Sequence, residues 1–148
     1  MIPRSFAMTF ALTRFTVSLL TVLKTPLSAA TATAQHGRAV AATTALTGGN
    51  DGIDAGNGNN LVIAGVGNDT VSSGSGNDVV LGDNGFVVRD LTGAVVQVET
   101  GDPALGGNDT IDTGAGNDVA MGGAMDDTLL GGAGNDVLFG DGGSVLFE

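Results

Sequence analysis

Within residues 46–81 and again within residues 104–139 of this chain, apolar residues recur every nine positions. Each nine-residue unit closes with a three-residue run whose middle position is apolar, and a polar segment rich in Gly, Asn and Asp precedes that run. Because side chains alternate along a strand, the middle residue of such a run would face inward. The pattern therefore predicts an all-β stack of short strands around a thin core made of Ile53, Val62, Val71, Val80, Ile111, Ala120, Leu129 and Leu138.

The units fall into two blocks of four, with no slip in the period inside either block. The first block reads LTGGNDGID (46–54), AGNGNNLVI (55–63), AGVGNDTVS (64–72) and SGSGNDVVL (73–81). The second block reads ALGGNDTID (104–112), TGAGNDVAM (113–121), GGAMDDTLL (122–130) and GGAGNDVLF (131–139). An offset of 58 residues superposes 47–85 on 105–143 with about half of the positions identical, which indicates a duplicated unit of a solenoid.

The polar half of each unit carries the candidate chemistry. Glycine at the second and fourth places permits positive φ and close approach of stacked backbones. Asparagine at the fifth place tolerates the left-handed region and favours a turn. The sixth place supplies a carboxylate in nearly every unit. A carboxylate next to turn carbonyls is a ligand set that suits Ca²⁺.

Acidic residues, like the repeats, are confined to the part of the chain after residue 45. Residues 47–148 hold all sixteen acidic residues and a single basic residue, Arg89, which gives them a formal charge of −15. Such a lattice opposes compaction unless cations belong to the fold. It also argues against nucleic acid as a partner, because phosphate contacts need Lys and Arg. The chain has no Cys, so disulfides and thiolate metal sites are excluded.

The in-phase units resemble the RTX (repeats-in-toxin) family, whose nonapeptide has the form G-G-x-G-x-D-x-U-x with U a large aliphatic residue. The resemblance implies a right-handed parallel β-roll, or β-solenoid, in which two nonapeptides make one turn. Several Ca²⁺ ions would each lie between the turn of one repeat and that of the repeat two further on. The implied pairs are Asp51 with Asp69, Asp109 with Asp127, and Asp118 with Asp136. The implied metal site residues are Asp51, Asp69, Asp78, Asp109, Asp118, Asp127 and Asp136, a weaker Asn60, and the turn backbone at Gly49, Gly58, Gly67, Gly76, Gly107, Gly116 and Gly134.

Two positions depart from the family pattern. Asn60 replaces the acid of the second unit, which weakens its implied pairing with Asp78. Met125 replaces the fourth-place glycine before Asp127, which disfavours the turn there.

The first block (47–85) and the second block (105–143) are separated by residues 86–104, which break the repeat. Two β-rich runs flank Asp90-Leu91-Thr92-Gly93, and this arrangement predicts a β-hairpin. We expect it either to project from the stack without a binding role or to present a ligand or partner surface. Residues 144–148 repeat the start of the hairpin at the 58-residue offset, so we expect the chain to be part of a longer parent array.

Residues 1–46 differ from the rest in composition. Basic residues near the start, an apolar run over 15–23 and small residues around 30–34 fit a secretory signal peptide. A linker without a fold of its own and an amphipathic helix that caps the solenoid are the alternatives, so this segment is predicted to be unstructured or helical. The apolar run is too short for a stable membrane span.

The sequence predicts a module without enzymatic activity. His36 is the single histidine, no His-Glu-x-x-His signature occurs, and Ser72, Ser73 and Ser75 have no base to activate them. We expect a calcium-binding repeat module of a secreted, extracellular or cell-surface bacterial protein that folds on Ca²⁺ after export. A structural stalk or adhesin repeat, and a carbohydrate-binding accessory module of a secreted enzyme, are the alternatives.

Overall fold

The structure, a computed structural model, describes residues 48–147 and the backbone of three short segments before them, 20–22, 31–33 and 39–42. Its strands are β1 (Leu20–Val22), β2 (Thr31–Thr33), β3 (Ala39–Ala42), β4 (Gly52–Asp54), β5 (Leu61–Ile63), β6 (Thr70–Ser72), β7 (Val79–Leu81), β8 (Gly85–Arg89), β9 (Val95–Thr100), β10 (Thr110–Asp112), β11 (Val119–Gly123), β12 (Thr128–Leu130), β13 (Val137–Asp141) and β14 (Ser144–Leu146). Within these described ranges no helix is long and apolar enough to cross a membrane.

Two parallel sheets form the body of the molecule. Sheet A has the order β1-β3-β5-β7-β11-β13, and sheet B has the order β12-β10-β6-β4-β2. Each nonapeptide contributes one turn and one strand, so alternate repeats lie on opposite sheets and two repeats complete a turn of the roll. The predicted all-β parallel roll of nonapeptide repeats is confirmed.

The two repeat blocks stack as one continuous roll. β7 pairs in parallel with β11, matching Val79 to Val119, and β6 pairs with β10, matching Thr70 to Thr110. Stacked residues are 18 positions apart within a block and 40 apart across the insertion. The additional 22 residues therefore leave the roll and return to it without disturbing the stack.

The insertion divides one repeat into two pieces. The Gly82 N–H donates to the Met121 carbonyl at 2.9 Å, and the Asp83 N–H donates to the Gly122 carbonyl at 3.2 Å. Gly82 and Asp83 thus fill the first two places of the repeat that resumes at Gly106. The assignment of those places to Ala104 and Leu105 is wrong, because residues 102–105 form a local turn in which Leu105 N–H donates to the Asp102 carbonyl.

The core between the sheets contains the predicted inward positions. Ile53, Val62, Val71, Val80, Ile111 and Ala120 are buried in one cluster, with Ala55 and Ala64 beside them and Leu129 packed against it while partly buried. Leu138 is 42% exposed, so the prediction that it is a core residue is wrong. It belongs to β13, the last strand of sheet A, and no further described strand covers it.

The insertion is a hairpin of β8 and β9, and it folds back onto the roll. Val98 of β9 is fully buried, and Val87, Val95 and Val145 pack with it against Val79, Leu81, Val119 and Met121 on the outer face of sheet A. The expectation of a projecting hairpin is wrong. The physical reason lies in the strands of sheet A, which read LVI, VVL, VAM and VLF and are apolar at all three positions, as strands buried on both faces are.

The hairpin sheet has a third strand from the end of the chain. β14 pairs antiparallel with β9 on the side opposite β8. Glu99 of β9 lies opposite Phe86 in β8 and opposite Ser144 in β14, and Val98 lies opposite Val87 and Val145. The two flanking strands, which are 58 residues apart in sequence, therefore bind β9 in the same register.

The leader contributes three short strands in the part of it that is described. β1 and β3 extend sheet A, and β2 extends sheet B next to β4. For these segments, strands replace the unstructured or helical leader that the sequence predicts. Of the predicted signal-peptide cleavage region, residues 31–33 lie in β2, whereas Ala30, Ala34 and His36 lie outside the described residues.

Candidate metal centre

The turns between the two sheets form two rows, one along each edge of the roll. The sixth-place residues of row one are Asp51, Asp69, Asp109 and Asp127, and those of row two are Asn60, Asp78, Asp118 and Asp136. Row one therefore combines the predicted pair 51–69 with the predicted pair 109–127. The links that cross the insertion, 69 to 109 and 78 to 118, were missed from the sequence because they require the blocks to stack continuously.

Each turn of a row is called a rung, and within a row each sixth-place carboxylate after the first rung is tied to the previous turn. Its Oδ1 accepts the backbone N–H of the sixth-place residue one rung earlier, as Asp109 does from Asp69 at 2.8 Å and Asp118 does from Asp78 at 2.8 Å. The other links measure 2.7 Å from Asp51 to Asp69, 2.7 Å from Asn60 to Asp78, 2.8 Å from Asp109 to Asp127 and 3.1 Å from Asp118 to Asp136. These six bonds fix the positions of six carboxylates before any ion is considered: those of Asp69, Asp78, Asp109, Asp118, Asp127 and Asp136.

The second oxygen of these carboxylates faces the interior of the turn. The Oδ2 atoms of Asp78, Asp109, Asp118 and Asp127 are buried and accept no hydrogen bond from the described protein. Asp78 and Asp118 are each 1% exposed and Asp109 is 2% exposed. A buried anionic oxygen without a partner is costly, so the arrangement calls for a cation.

Asn60 shows what occupies this position when the carboxylate is absent. Its Nδ2 donates to the carbonyls of Gly56 at 2.9 Å, Gly58 at 2.8 Å and Ser73 at 3.0 Å. Three backbone oxygens therefore converge on one point beside the sixth-place side chain, and at this rung an amide NH₂ group fills that point. An aspartate there would present a carboxylate oxygen to three carbonyl oxygens, an all-oxygen set of the kind that Ca²⁺ takes.

The titration behaviour of the rows reflects the same crowding of oxygen atoms. Burial raises the pKa of Asp109 from 3.8 to about 8; the Asp69 N–H opposes the rise, and the neighbouring charges of Asp83, Asp69 and Asp127 add to it. Burial is also the main reason why the pKa values of Asp78 and Asp127 are raised. Such shifts mean that the carboxylates are under-stabilised as anions in the protein alone.

A cation in either row depends on main-chain ligands. Among the described residues, no three His, Cys, Asp or Glu side chains are grouped closely enough to hold a metal ion by themselves. Carbonyl oxygens of the turns must therefore complete the coordination, and the three carbonyls around Asn60 show that the turn presents them. The residues fit Ca²⁺, which accepts backbone carbonyls and carboxylates in flexible geometry.

The turn glycines act mainly as predicted. Positive φ values occur at Gly58, Gly67, Gly76, Gly116 and Gly134 among the fourth-place glycines, but not at Gly49 or Gly107. At Gly107 the reason for glycine is space, because a Cβ would lie 2.2 Å from the Gly67 carbonyl oxygen. Met125 adopts φ 77° and so keeps the turn before Asp127 at a cost in strain.

The fifth-place asparagines have a different role from the one expected. Among the described residues, Met125 is the single non-glycine residue with positive φ, so these asparagines do not use the left-handed region. Instead, the Oδ1 of every one of them except Asn135 accepts the N–H of the next fifth-place residue in its row, for example Asn68 from Asn108 at 2.9 Å and Asn77 from Asn117 at 2.9 Å. They form an exposed amide ladder beside each row of carboxylates.

Asp83 is a buried acidic residue that the repeat pattern did not assign. It is 3% exposed, and its carboxylate accepts N–H groups from Gly107 at 3.1 Å and Ala124 at 2.6 Å. The signal available in the sequence was the Gly-Asp dipeptide at 82–83, which recurs at 140–141 where the next repeat begins.

The comparisons with known proteins agree with this geometry. The profile of the RTX calcium-binding nonapeptide repeat, four copies, matches residues 47–80, 104–124 and 121–144. Searches of curated proteins and of solved structures found no match. The matched segments hold both rows of turns and cover just over half of the chain. The chain belongs to the RTX calcium-binding nonapeptide repeat family.

Proposed function

We propose that this calcium-binding repeat module folds on binding Ca²⁺ and belongs to a secreted or cell-surface protein. The observation that carries the proposal is the contrast between the rungs. Where the sixth place is Asn60, its NH₂ group donates to the converging carbonyls and the oxygen without a partner is the neutral Oδ1, whereas the aspartate rungs leave buried carboxylate Oδ2 atoms without a protein donor. Asp51, Asp69, Asp78, Asp109, Asp118, Asp127 and Asp136 would hold the ions, with carbonyls of the turns as the remaining ligands.

Calcium would decide folding because the roll has little else to stabilise it. Its inner core is one residue wide, and most strands are three residues long. Each site adds about 1.4 kcal/mol when free calcium is about ten times the Kd, by mass action. Extracellular calcium modules have Kd values of about 10⁻⁴ to 10⁻³ M, so the same contribution is close to zero at micromolar cytosolic calcium. Folding would then follow export.

Far-ultraviolet circular dichroism of the full chain tests this proposal. We expect strand signal at millimolar Ca²⁺ and its loss on adding EGTA, with recovery when calcium is restored. Magnesium at the same concentration is the control, because it demands octahedral geometry at shorter distances and should not restore the fold. A strand signal that is unchanged by EGTA would refute calcium-dependent folding.

We further propose that the module has no catalytic role of its own. Two of the candidate serine nucleophiles already make structural hydrogen bonds: Ser73 Oγ donates to the Thr113 carbonyl at 3.2 Å, and Ser75 Oγ donates to Asn57 Oδ1 at 2.8 Å. These bonds hold adjacent rungs together. Ser72 is exposed on the outer face of sheet B.

A structural stalk is the second candidate, and the continuous stacking favours it. The 22 additional residues of the insertion leave the register of β6 with β10 and β7 with β11 intact. A unit that can be repeated without a break in the roll is suited to a rigid spacer. Electron microscopy of the parent protein would distinguish the two, because a stalk predicts an extended rod and a folding module does not require one.

A further inference from the structure

Asp83 lies where the insertion leaves the roll, and it joins two turns of row one. It occupies the second place of the divided repeat, and the rest of that repeat resumes at Gly106. One carboxylate oxygen accepts the N–H of Gly107, in the turn before Asp109, and the other accepts the N–H of Ala124, in the turn before Asp127. A single side chain thus connects the two turns whose sixth-place residues are linked at 2.8 Å.

The surrounding residues leave room for this carboxylate. A Cβ at Gly106 would lie 2.0 Å from Asp83 Oδ2, and a Cβ at Gly123 would lie 2.4 Å from the same atom. Gly106 has no positive φ that would require glycine. In row one, the equivalent third place holds Val66 and Ala124 in two other repeats, and in the first repeat it holds Gly48, where a Cβ would meet the Val66 carbonyl oxygen. Glycine at 106 is therefore explained by the space that the Asp83 side chain takes.

The charge of Asp83 also acts on the row. Its carboxylate adds to the electrostatic field at Asp109, and Asp127 in turn acts on Asp83. Negative charge close to a cation site increases the attraction for the ion. Both Asp83 oxygens are already engaged by N–H groups, so the residue acts through the turns and through its field and not as a direct ligand.

We propose that Asp83 is a positioning residue for the cation site at Asp109 and Asp127, and that it makes this the tightest calcium site of row one. The inference rests on the proposed calcium-binding function. Row two has no insertion and no equivalent of Asp83. The 58-residue counterpart, Asp141, is exposed on the last strand of sheet A, where no described turn lies beyond it to donate a second N–H.

Calcium titration calorimetry of the full chain, comparing wild type with Asp83→Asn, tests the proposal. We expect wild type to show a tight class of sites, and the variant to lose about 10- to 100-fold in the affinity of that class while the weaker classes keep their Kd, as for other groups that orient metal ligands. Asp112→Asn is the control, because it removes the same charge from an exposed position on sheet B. It should leave every class unchanged.

Amide NMR signals provide a local readout that a general loss of stability would not give. We expect one of the two amide protons, that of Gly107 or that of Ala124, to lose its hydrogen-bonded shift in Asp83→Asn at saturating calcium, because asparagine keeps a single acceptor oxygen. The Asp118 amide of row two should keep its shift. Equal weakening of all site classes, or an isotherm identical to wild type, would overturn the inference while leaving the proposed function intact. A wild-type chain that binds no calcium would overturn both.

A second variant decides the matter if Asp83→Asn does not fold at saturating calcium. Gly106→Ala keeps every charge and displaces the Asp83 carboxylate with a methyl group. We expect it to weaken the same tight class and no other. An unchanged tight class in Gly106→Ala would overturn the inference.

Discussion

In wild type, the amide NH₂ group of Asn60 occupies the point where three turn carbonyls converge. Asn60→Asp should produce a turn that needs an ion at that point. The wild-type Nδ2 makes three hydrogen bonds of 2.8–3.0 Å to backbone carbonyls, and the side chain is 1% exposed. In Asn60→Asp these bonds are lost, and a carboxylate oxygen faces the same three carbonyls. An uncompensated buried charge costs about 3–5 kcal/mol, so the variant should be less stable than wild type without calcium by about that amount.

Calcium should reverse much of this loss, because the new carboxylate completes the ligand set. At a free calcium concentration of about 100 times the Kd, one additional site contributes about 2.7 kcal/mol. We therefore expect Asn60→Asp to bind one more ion than wild type, and its folding to depend more steeply on calcium. Isothermal calorimetry gives the stoichiometry, and circular dichroism at a series of calcium concentrations gives the midpoint and steepness.

Asn57→Asp is the matched control for this experiment. It adds the same charge three residues away at an exposed position, and its Oδ1 can still accept the Ser75 hydroxyl. We expect its stoichiometry to equal that of wild type. If Asn60→Asp also bound the same number of ions as wild type, the interpretation of the Asn60 amide as a substitute for the cation would be wrong.

Three further predictions follow from strain, packing and titration. Met125→Gly should raise the free energy of unfolding by about 1 kcal/mol, since it relieves the positive φ of 77°; a calcium-saturated thermal melt would measure this, and a lower melting temperature would contradict it. Val98→Ala should lower stability by about 2 kcal/mol because the side chain is fully buried between the hairpin and sheet A. Val88→Ala, at a 41% exposed position of the same hairpin, should have little effect. Equal losses of stability in denaturant titrations would refute this packing. Burial raises the pKa of Asp109 from 3.8 to about 8 and that of Asp83 to about 6. The folded calcium-free chain therefore keeps these protons to a higher pH than the unfolded chain, which releases them near pH 4. The stability of the calcium-free fold should fall as pH rises from about 4 to about 8. Calcium affinity should rise over the same range because ions compete with those protons; circular dichroism of metal-stripped protein and calcium titrations at several pH values would detect either trend running the opposite way.

The nine-residue period predicted a stack of short strands and identified its core, and the family resemblance implied the parallel roll. Middle positions such as Val62 and Ile111 are buried because a three-residue strand has a single inward side chain. Leu138 follows the same pattern but is exposed, since burial depends on a neighbouring strand and not on the period. The sixth-place carboxylates lie in rows as the family resemblance implies, and their binding of calcium stays a prediction.

The features that the sequence did not reveal depend on how distant segments meet. The links from Asp69 to Asp109 and from Asp78 to Asp118 cross an insertion, so the fixed sequence spacing of the repeat does not predict them. The position of Asp83 was hidden because the repeat frame was continued backward from Gly106 through Leu105 and Ala104. The packing of the hairpin did have a signal in the apolar strands of alternate repeats. The resemblance implied two nonapeptides per turn and hence that these repeats share one sheet, so this signal could have been read from the sequence.

The shared register of β9 with β8 and β14 has a mechanical consequence. A roll held by rung-to-rung bonds alone would peel one turn at a time when pulled from its end. Here β14 is bonded to β9, and β9 lies across the outer face of sheet A, so a load on the last turn is passed to strands far earlier in the chain. Rupture then requires the hairpin sheet and the last turns to yield together. The hairpin sheet therefore joins several turns into one mechanical unit. The smallest part that can detach under force is then larger than a single turn of the roll.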